Sequence, residues 1–288
     1  MTRERRTMEE RIVTYEPDNS LKSGYLSIFA EIFRELARNR WLTYQLFKRN
    51  FLALYKQSFI GVFWAVILPL ISVGTFIILN RSGIFSLGHM KVPYAIYAVL
   101  GLAFWQIFAT GILASANSLV QAGPMITKIN FSKKSLVIAS AGQALISFAV
   151  QIILVLVLFV LYRFVPDVRI LLIPLMIVPI VLLTLGLGLI LSLLNGVFRD
   201  IGNALSMVIT FFMFLTPVLY AEPSAGVLAV ITRYNPLYYL VAAPRELVLT
   251  GAVVHWKGFL ASSIFSLAVF TACILAFHLT ETRVAERI

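Results

Sequence analysis

From Phe59 to Asn80 the chain runs for 22 residues without a charge, and five later segments repeat that pattern. A helix of about 20 mostly apolar residues crosses a bilayer. A chain built around such runs folds as an all-α integral membrane protein. The expected spans are 59–80, 92–116, 136–161, 170–194, 204–220 and 257–279, six transmembrane helices in one membrane domain covering 59–280. The runs are continuously apolar rather than alternating, which argues against barrel strands. Spans three and four are separated only by "YRFVPDVR", where Pro166 favours a tight turn. A cytoplasmic N-terminal arm, 1–58, precedes the domain, and a short tail, 281–288, follows it.

The balance of charge sets orientation. With the N-terminus inside, the inner segments 1–58, 117–135, 195–203 and 280–288 hold eleven, three, one and two Lys/Arg, leaving seven of the 24 for the other side. Basic residues accumulate on the cytoplasmic side, so both termini are expected there. The net charge of +11 does not indicate nucleic acid, because the basic residues are dispersed over loops and residues 1–58 carry a local excess of only four. Met1 to Ser20 has no apolar core of the kind that opens a secretory signal. Cys273, the only cysteine, lies in an apolar run and reads as a small hydrophobe facing lipid or protein.

Two amphipathic stretches precede the first span. In "YLSIFAEIFRELARNR", Phe29, Ile32, Phe33 and Leu36 are expected on one helical face. In "WLTYQLFKRNFLALYKQ", Phe47, Phe51 and Leu54 share a face, and Lys48, Arg49 and Lys56 stay polar. Basic helices of this kind lie along a membrane surface. The segment 221–256 contains apolar pieces too short to span, such as "GVLAVI" and "PLYYLVAAP". Irregular backbone exposed to lipid is not tolerated, so outer re-entrant or interfacial helices are expected; an ordinary exoplasmic loop is the alternative.

The chemistry is sparse. Five of the spans contain no Asp, Glu, Lys, Arg or His, and the sixth has only Lys257 and His278 near its ends. Proton-coupled carriers commonly place ionisable groups inside the membrane, so that mechanism lacks an obvious carrier, although sodium sites of carbonyls and hydroxyls stay open. No phosphate-binding G-x-x-x-x-G-K-[ST] loop and no paired His or Cys metal spacing occurs. The chain is not expected to be an enzyme by itself, to bind a metal or to hold a cofactor. Arg245–Glu246 reads as a structural or gating ion pair, with a catalytic dyad as the alternative.

Two further patterns point to transport. In the loop "VQAGPMITKINFSKKSL", the apolar Met125, Ile126, Ile129 and Phe131 alternate with Lys128, Lys133 and Lys134. A soluble partner could grip such a helix; so could lipid headgroups. Aromatic residues concentrate in three spans: Phe63 and Trp64 in the first, Trp105 in the second, Phe211 and Phe214 in the fifth, with Tyr220 at its end. Such rings pack against lipid or neighbouring helices, or form a charge-free lining suited to the C–H faces of sugar rings.

Three segments in order resemble one known family. They are "LFKRNFLALYKQSFIGVFWAVILPL", with its Tyr-Lys-Gln-Ser approach to the membrane; "AGPMITKINFSKKSL"; and "LNGVFRDIGNALSMVITFFMFLTPVLY", with its Arg-Asp loop and Pro-Val-x-Tyr end. Asn235-Pro236 and Arg245 also fall at family positions. The resemblance is to the transmembrane subunit of bacterial polysaccharide ABC exporters, which move O-antigen, capsular polysaccharide or teichoic acid, and it runs over about residues 25–280. The chain departs from the pattern at Asn50, where Asp is common, and at Ser132, where Pro is common.

The resemblance implies a homodimer in the bacterial cytoplasmic (inner) membrane, joined to two copies of a separate ATPase subunit that binds ATP and Mg. The substrate implied is a glycan on a polyprenyl diphosphate lipid. Met125, Ile126, Lys128, Ile129 and Phe131 would contact the ATPase. Phe29, Phe33, Arg49, Tyr55, Lys56 and Ser58 would belong to gate and interface helices. Phe63, Trp64, Trp105, Phe211, Phe214 and Tyr220 would line the path, and Asn235, Pro236, Arg245 and Glu246 would form the outer gate. An ion-coupled lipid or glycan flippase, a polytopic transferase, and an ABC permease for a drug or simple lipid are the competing readings.

Overall fold

The computed structural model describes residues 25–56, 67, 70–71, 74–75, 78, 92–123 and 132–285. The expected first span, apart from six helical positions between 67 and 78, lies outside the described residues. So do Ser58, Phe63, Trp64, Met125, Ile126, Lys128, Ile129 and Phe131.

The described residues form helices α1 (Tyr25–Arg38), α2 (Arg40–Lys56), α3 (Tyr94–Gln121), α4 (Lys133–Ala141), α5 (Gln143–Leu161), α6 (Ile173–Met176), α7 (Val178–Val197), α8 (Asp200–Leu215), α9 (Val227–Tyr234), α10 (Pro236–Thr250) and α11 (Trp256–Ala285). No strand occurs among them. Among the described residues, four stretches are long and apolar enough to cross a membrane: Tyr94–Gln121, Lys133–Leu161, Val168–Val197 and Trp256–Glu281. The 28 residues of α3 rise about 42 Å, more than the roughly 30 Å of a hydrocarbon core. Helix α8, with 16 residues, is shorter.

Helix α3 is the axis of the molecule. Its buried residues, among them Ile96, Val99, Phe104, Ile107 and Ile112, form one core with α5, α7, α8 and α10. Small residues permit the contact, as membrane helices require: the Cβ position of Gly188 on α7 lies 2.6 Å from that of Ser115. A second core gathers Ile28 and Ile32 of α1, Leu46 of α2, Leu136 and Val137 of α4, Leu193 of α7 and Phe277 of α11. The N-terminal helices thus dock where α4 begins and α11 ends.

Two sequence expectations shift here. The fifth span does not continue to Tyr220: α8 stops at Leu215, and Thr216 is extended (φ −108°, ψ 123°) ahead of Pro217. A residue before proline is driven out of helical geometry. On α1, Ile28 and Ile32 are buried, Phe29 and Leu36 are half-buried, and Phe33 is 75% exposed. Phe33 lies roughly 100° round the helix from Ile32, at the open edge of that face, while Glu35 is held by an ion pair with Lys134. Phe33, Trp41 and Tyr44 are exposed, as are Arg38, Arg40, Lys48 and Arg49.

Candidate functional site: polar clusters at the two ends of the bundle

At one end, the break after α8 creates a problem of backbone satisfaction. Residues 216–219 are buried and non-helical. Their carbonyls have no helical partner, and buried carbonyls must find donors. Side chains of α3 and α10 supply them. Arg245 donates through Nη2 to the Pro217 carbonyl (3.2 Å) and through Nη1 to that of Val218 (2.8 Å). Tyr94 Oη donates to Leu219 O at 2.8 Å, and Tyr97 Oη to Tyr220 O at 3.1 Å. The Arg245 guanidinium also lies 3.9 Å over the Tyr97 ring, a favourable cation–π contact. Gly101 makes the approach feasible. A Cβ there would sit 2.4 Å from the Val218 carbonyl oxygen and 2.9 Å from Arg245 Nη1.

Asn235 completes this end. Its side-chain oxygen accepts from Leu237 N at 3.0 Å, capping α10, while its amide donates to Thr216 Oγ1 at 2.8 Å. Pro236 is the first residue of α10, where a missing N–H is harmless. The expected Arg245–Glu246 ion pair does not form, because neighbours on a helix point about 100° apart. Glu246 instead accepts from Val254 N at 2.8 Å. Burial pushes its carboxyl above the ordinary range, while the Val254 amide opposes the shift. Nearby, an open cleft of about 510 Å³ is lined by Glu222, Arg233, Tyr239 and His255, with His255 Nε2 3.2 Å from Glu222.

Helix α8 presents two faces. Leu205 and Ile209 enter the core; Met207, Phe211 and Phe214, one per turn, are exposed. Phe211 and Phe214 therefore stand on a free surface. Tyr220, half-buried, donates to the Phe214 carbonyl. Trp105 is a correction to the expected lining: it is 2% exposed and packs against Phe108 inside the α3 core. A ring enclosed by its own chain lines no open path in this conformation.

At the other end of α3, Asn195 Nδ2 donates to Ala116 O (3.0 Å) and Asn117 Oδ1 (3.1 Å), and its oxygen accepts from Gly202 N (2.8 Å). This ties the turn between α7 and α8 to α3. Beside it lies a charged cluster. Lys134, on α4, is fully buried, which corrects its reading as an exposed lysine of a loop. Its Nζ bonds Glu35 of α1 at 2.9 Å and also Glu281 of α11. Lys133 donates to the Glu281 carbonyl at 3.0 Å, and His278 Nδ1 is 3.6 Å from the Glu281 carboxylate. Glu35, His278 and Glu281 place donor atoms within 4.8 Å of one another. The Lys134 ammonium is already the cation these carboxylates hold.

The two departures from the family pattern have local roles. Ser132 caps α4, accepting from Ser135 N at 3.4 Å. Asn50 Oδ1 accepts from the Arg49 side chain, and Asn50 Nδ2 donates to Ser140 Oγ at 3.2 Å, tying α2 to α4. Tyr55 and Lys56 fall in the last turn of α2. Asn195 was not singled out from sequence, and Lys134 was read only as one of the lysines of the loop, not as a buried one. The buried Asn had a faint signal in the "LNG" that ends span four; Lys134 had none, since its partners lie 99 and 147 residues away.

Residues 42–249 match the model of the ABC-2 type transporter membrane family. The chain belongs to that family. This multi-pass ABC-2 membrane protein is similar to an O-antigen export system permease protein RfbA of Myxococcus xanthus, 27% identical over 253 residues, covering 81% of this chain and 95% of the relative. It is also similar to permeases of the same description from Klebsiella pneumoniae. One is 28% identical over 224 residues (77% of this chain, 82% of the relative), the other 27% over 226 residues (75% and 85%). The ABC-2 match includes most of α2, all of α3 and α8, and the Arg245 cluster, and ends just short of Gly251.

Proposed function

We propose that this chain is the membrane permease of an ATP-driven exporter that moves an O-antigen-type polysaccharide, linked to a polyprenyl lipid, out across the bacterial inner membrane. The ABC-2 family match across most of the membrane domain carries this reading, and its likeness to O-antigen permeases along most of their length supplies the cargo class. In this reading the chain performs no chemistry. Two copies pair, and two separate ATPase subunits engage the 117–135 loop through Met125, Ile126, Lys128, Ile129 and Phe131. Six spans place both termini in the cytoplasm. Helices α9 and α10 are then the outer re-entrant pair, with Asn235, Pro236, Arg245 and Glu246 at the exit.

The exposed Phe211 and Phe214 face of α8 suits one wall of a glycan path. Aromatic faces stack on sugar rings without fixing a charge, so a long polymer can slide. Phe63, Trp64 and Tyr220 are assigned to the same path. Phe29, Phe33, Arg49, Tyr55, Lys56 and Ser58 are assigned to the inner entrance, where α1 and α2 lie along the membrane surface. ATP acts only through its differential affinity for two states of the assembly.

The test is purification in mild detergent from native membranes, followed by mass spectrometry of the complex. A stoichiometric ATPase bearing a phosphate loop is expected, in a two-to-two assembly. A chain that repeatedly emerges folded and alone contradicts the reading and returns the ion-coupled flippase to first place.

A further inference from the structure

We propose that Lys134 is the positioning residue that couples α4 to α1 during export, and that its contact with Glu35 opens and closes in each transport cycle. The inference rests on the reading that an ATPase acts on the 117–135 loop. Lys134 is the second residue of α4 and lies within that segment in sequence, so a force applied there is passed directly to it. It is fully buried, yet it is held from two other helices, by Glu35 of α1 and by Glu281 of α11.

The two arms of the cluster differ. Glu281 is 14% exposed and further fixed by Lys133 at its carbonyl; Glu35 is 28% exposed, and among the described side chains of α1 only Ile28 and Ile32 are buried. Opening the Glu35 arm leaves Lys134 neutralised by Glu281, so no buried charge is orphaned. Glu35 then rehydrates at the wetter edge. Removing one partner of an isolated buried pair is strongly destabilising because it strands the other; the third charge removes that obstacle. The arrangement gives α1 two states of similar energy, docked and released, which is what a coupling element needs. Glu281 acts as the fixed anchor, and Glu35 as the exchangeable arm.

The experiment uses the complete permease–ATPase complex in inverted membrane vesicles, with glycan export and ATP hydrolysis measured together. E35K, which repels Lys134 while Glu281 keeps it paired, is expected to export about 5-fold less glycan per ATP, the scale of an ordinary coupling free energy, without lowering the melting temperature of the assembled complex, and E35D, which keeps the charge, is expected to restore most of that ratio. A purely structural contact predicts the reverse: lower melting with unchanged export per ATP in E35K. An unchanged ratio in E35K, or a ratio in E35D as low as in E35K, overturns the assignment. Failure of the unsubstituted complex to export glycan on ATP contradicts the functional reading instead.

Discussion

The two ends of the bundle bury a cation in opposite ways. At Arg245 a single guanidinium faces only neutral partners: the Pro217 and Val218 carbonyls and the Tyr97 ring. At Lys134 the ammonium faces two carboxylates from two different helices. Arginine's planar fork suits the first task, since it meets two carbonyls at once and lies flat on an aromatic face. Its bonds have no substitute, because Arg245 is the side chain that reaches the Pro217 and Val218 carbonyls, while Tyr94 and Tyr97 serve those of Leu219 and Tyr220. Lysine is a point charge with a third partner in reserve, so one contact can be given up. The Arg245 end is built to hold one geometry and the Lys134 end to choose between two.

That contrast can be broken by substitution, beginning with the largest effect. Arg245→Met strands two buried carbonyls, each costing about 1–3 kcal/mol, for a loss of about 2–6 kcal/mol; thermal melting in detergent reads this. Arg245→Lys should recover only part, since one ammonium cannot reproduce the fork. Lys134→Met comes next, at about 2–3 kcal/mol, because Glu35 and Glu281 are partly wet and can regain water. If Lys134→Met proves more damaging than Arg245→Met, the assignment of holding and switching ends is reversed. Gly101→Ala should cost about 1–3 kcal/mol by forcing the Val218 carbonyl and Arg245 apart. Combining it with Arg245→Met should cost less than the sum, since both act on one contact.

The smallest effect is on pH dependence. Burial raises the Glu246 carboxyl in the folded chain, so the folded state holds its proton more tightly than the unfolded one. Its favourable contribution is complete below the ordinary carboxylate value, near about 4.3, and is lost as pH rises through the raised folded value. Glu246→Gln keeps an oxygen for the Val254 amide and removes this dependence. Its melting temperature should exceed that of the unsubstituted chain at neutral pH, with the difference shrinking in acid. A constant offset across pH would show that Glu246 stays charged at no cost.

Much of the architecture was legible because lipid imposes a coarse rule. Charge-free runs had to be helices, and those in α3, α5, α7 and α11 stand where the runs predict. What escaped was set by contacts between distant residues. Span five was read through Pro217 because its apolar run continues, yet the chain there is held open by Tyr94, Tyr97 and Arg245, more than 25 residues away on either side. Arg245 and Glu246 looked paired because they are adjacent in sequence, which on a helix sets them apart. Ile32 and Phe33 were placed together on one apolar face, yet Ile32 is buried in the bundle and Phe33 is exposed. Trp105 looked like lining because aromatics attract that reading; its neighbours enclose it. Functional geometry here depends on long-range partners, and composition constrains those weakly.

The most direct test of the account is transport itself. Inverted vesicles carrying the permease and its ATPase are given a radiolabelled, polyprenyl-linked glycan, with and without ATP, and lumenal glycan is counted after external glycan is digested. The account predicts accumulation that requires ATP and survives collapse of the ion gradients. Accumulation without ATP that follows an ion gradient, or none with ATP, would contradict it.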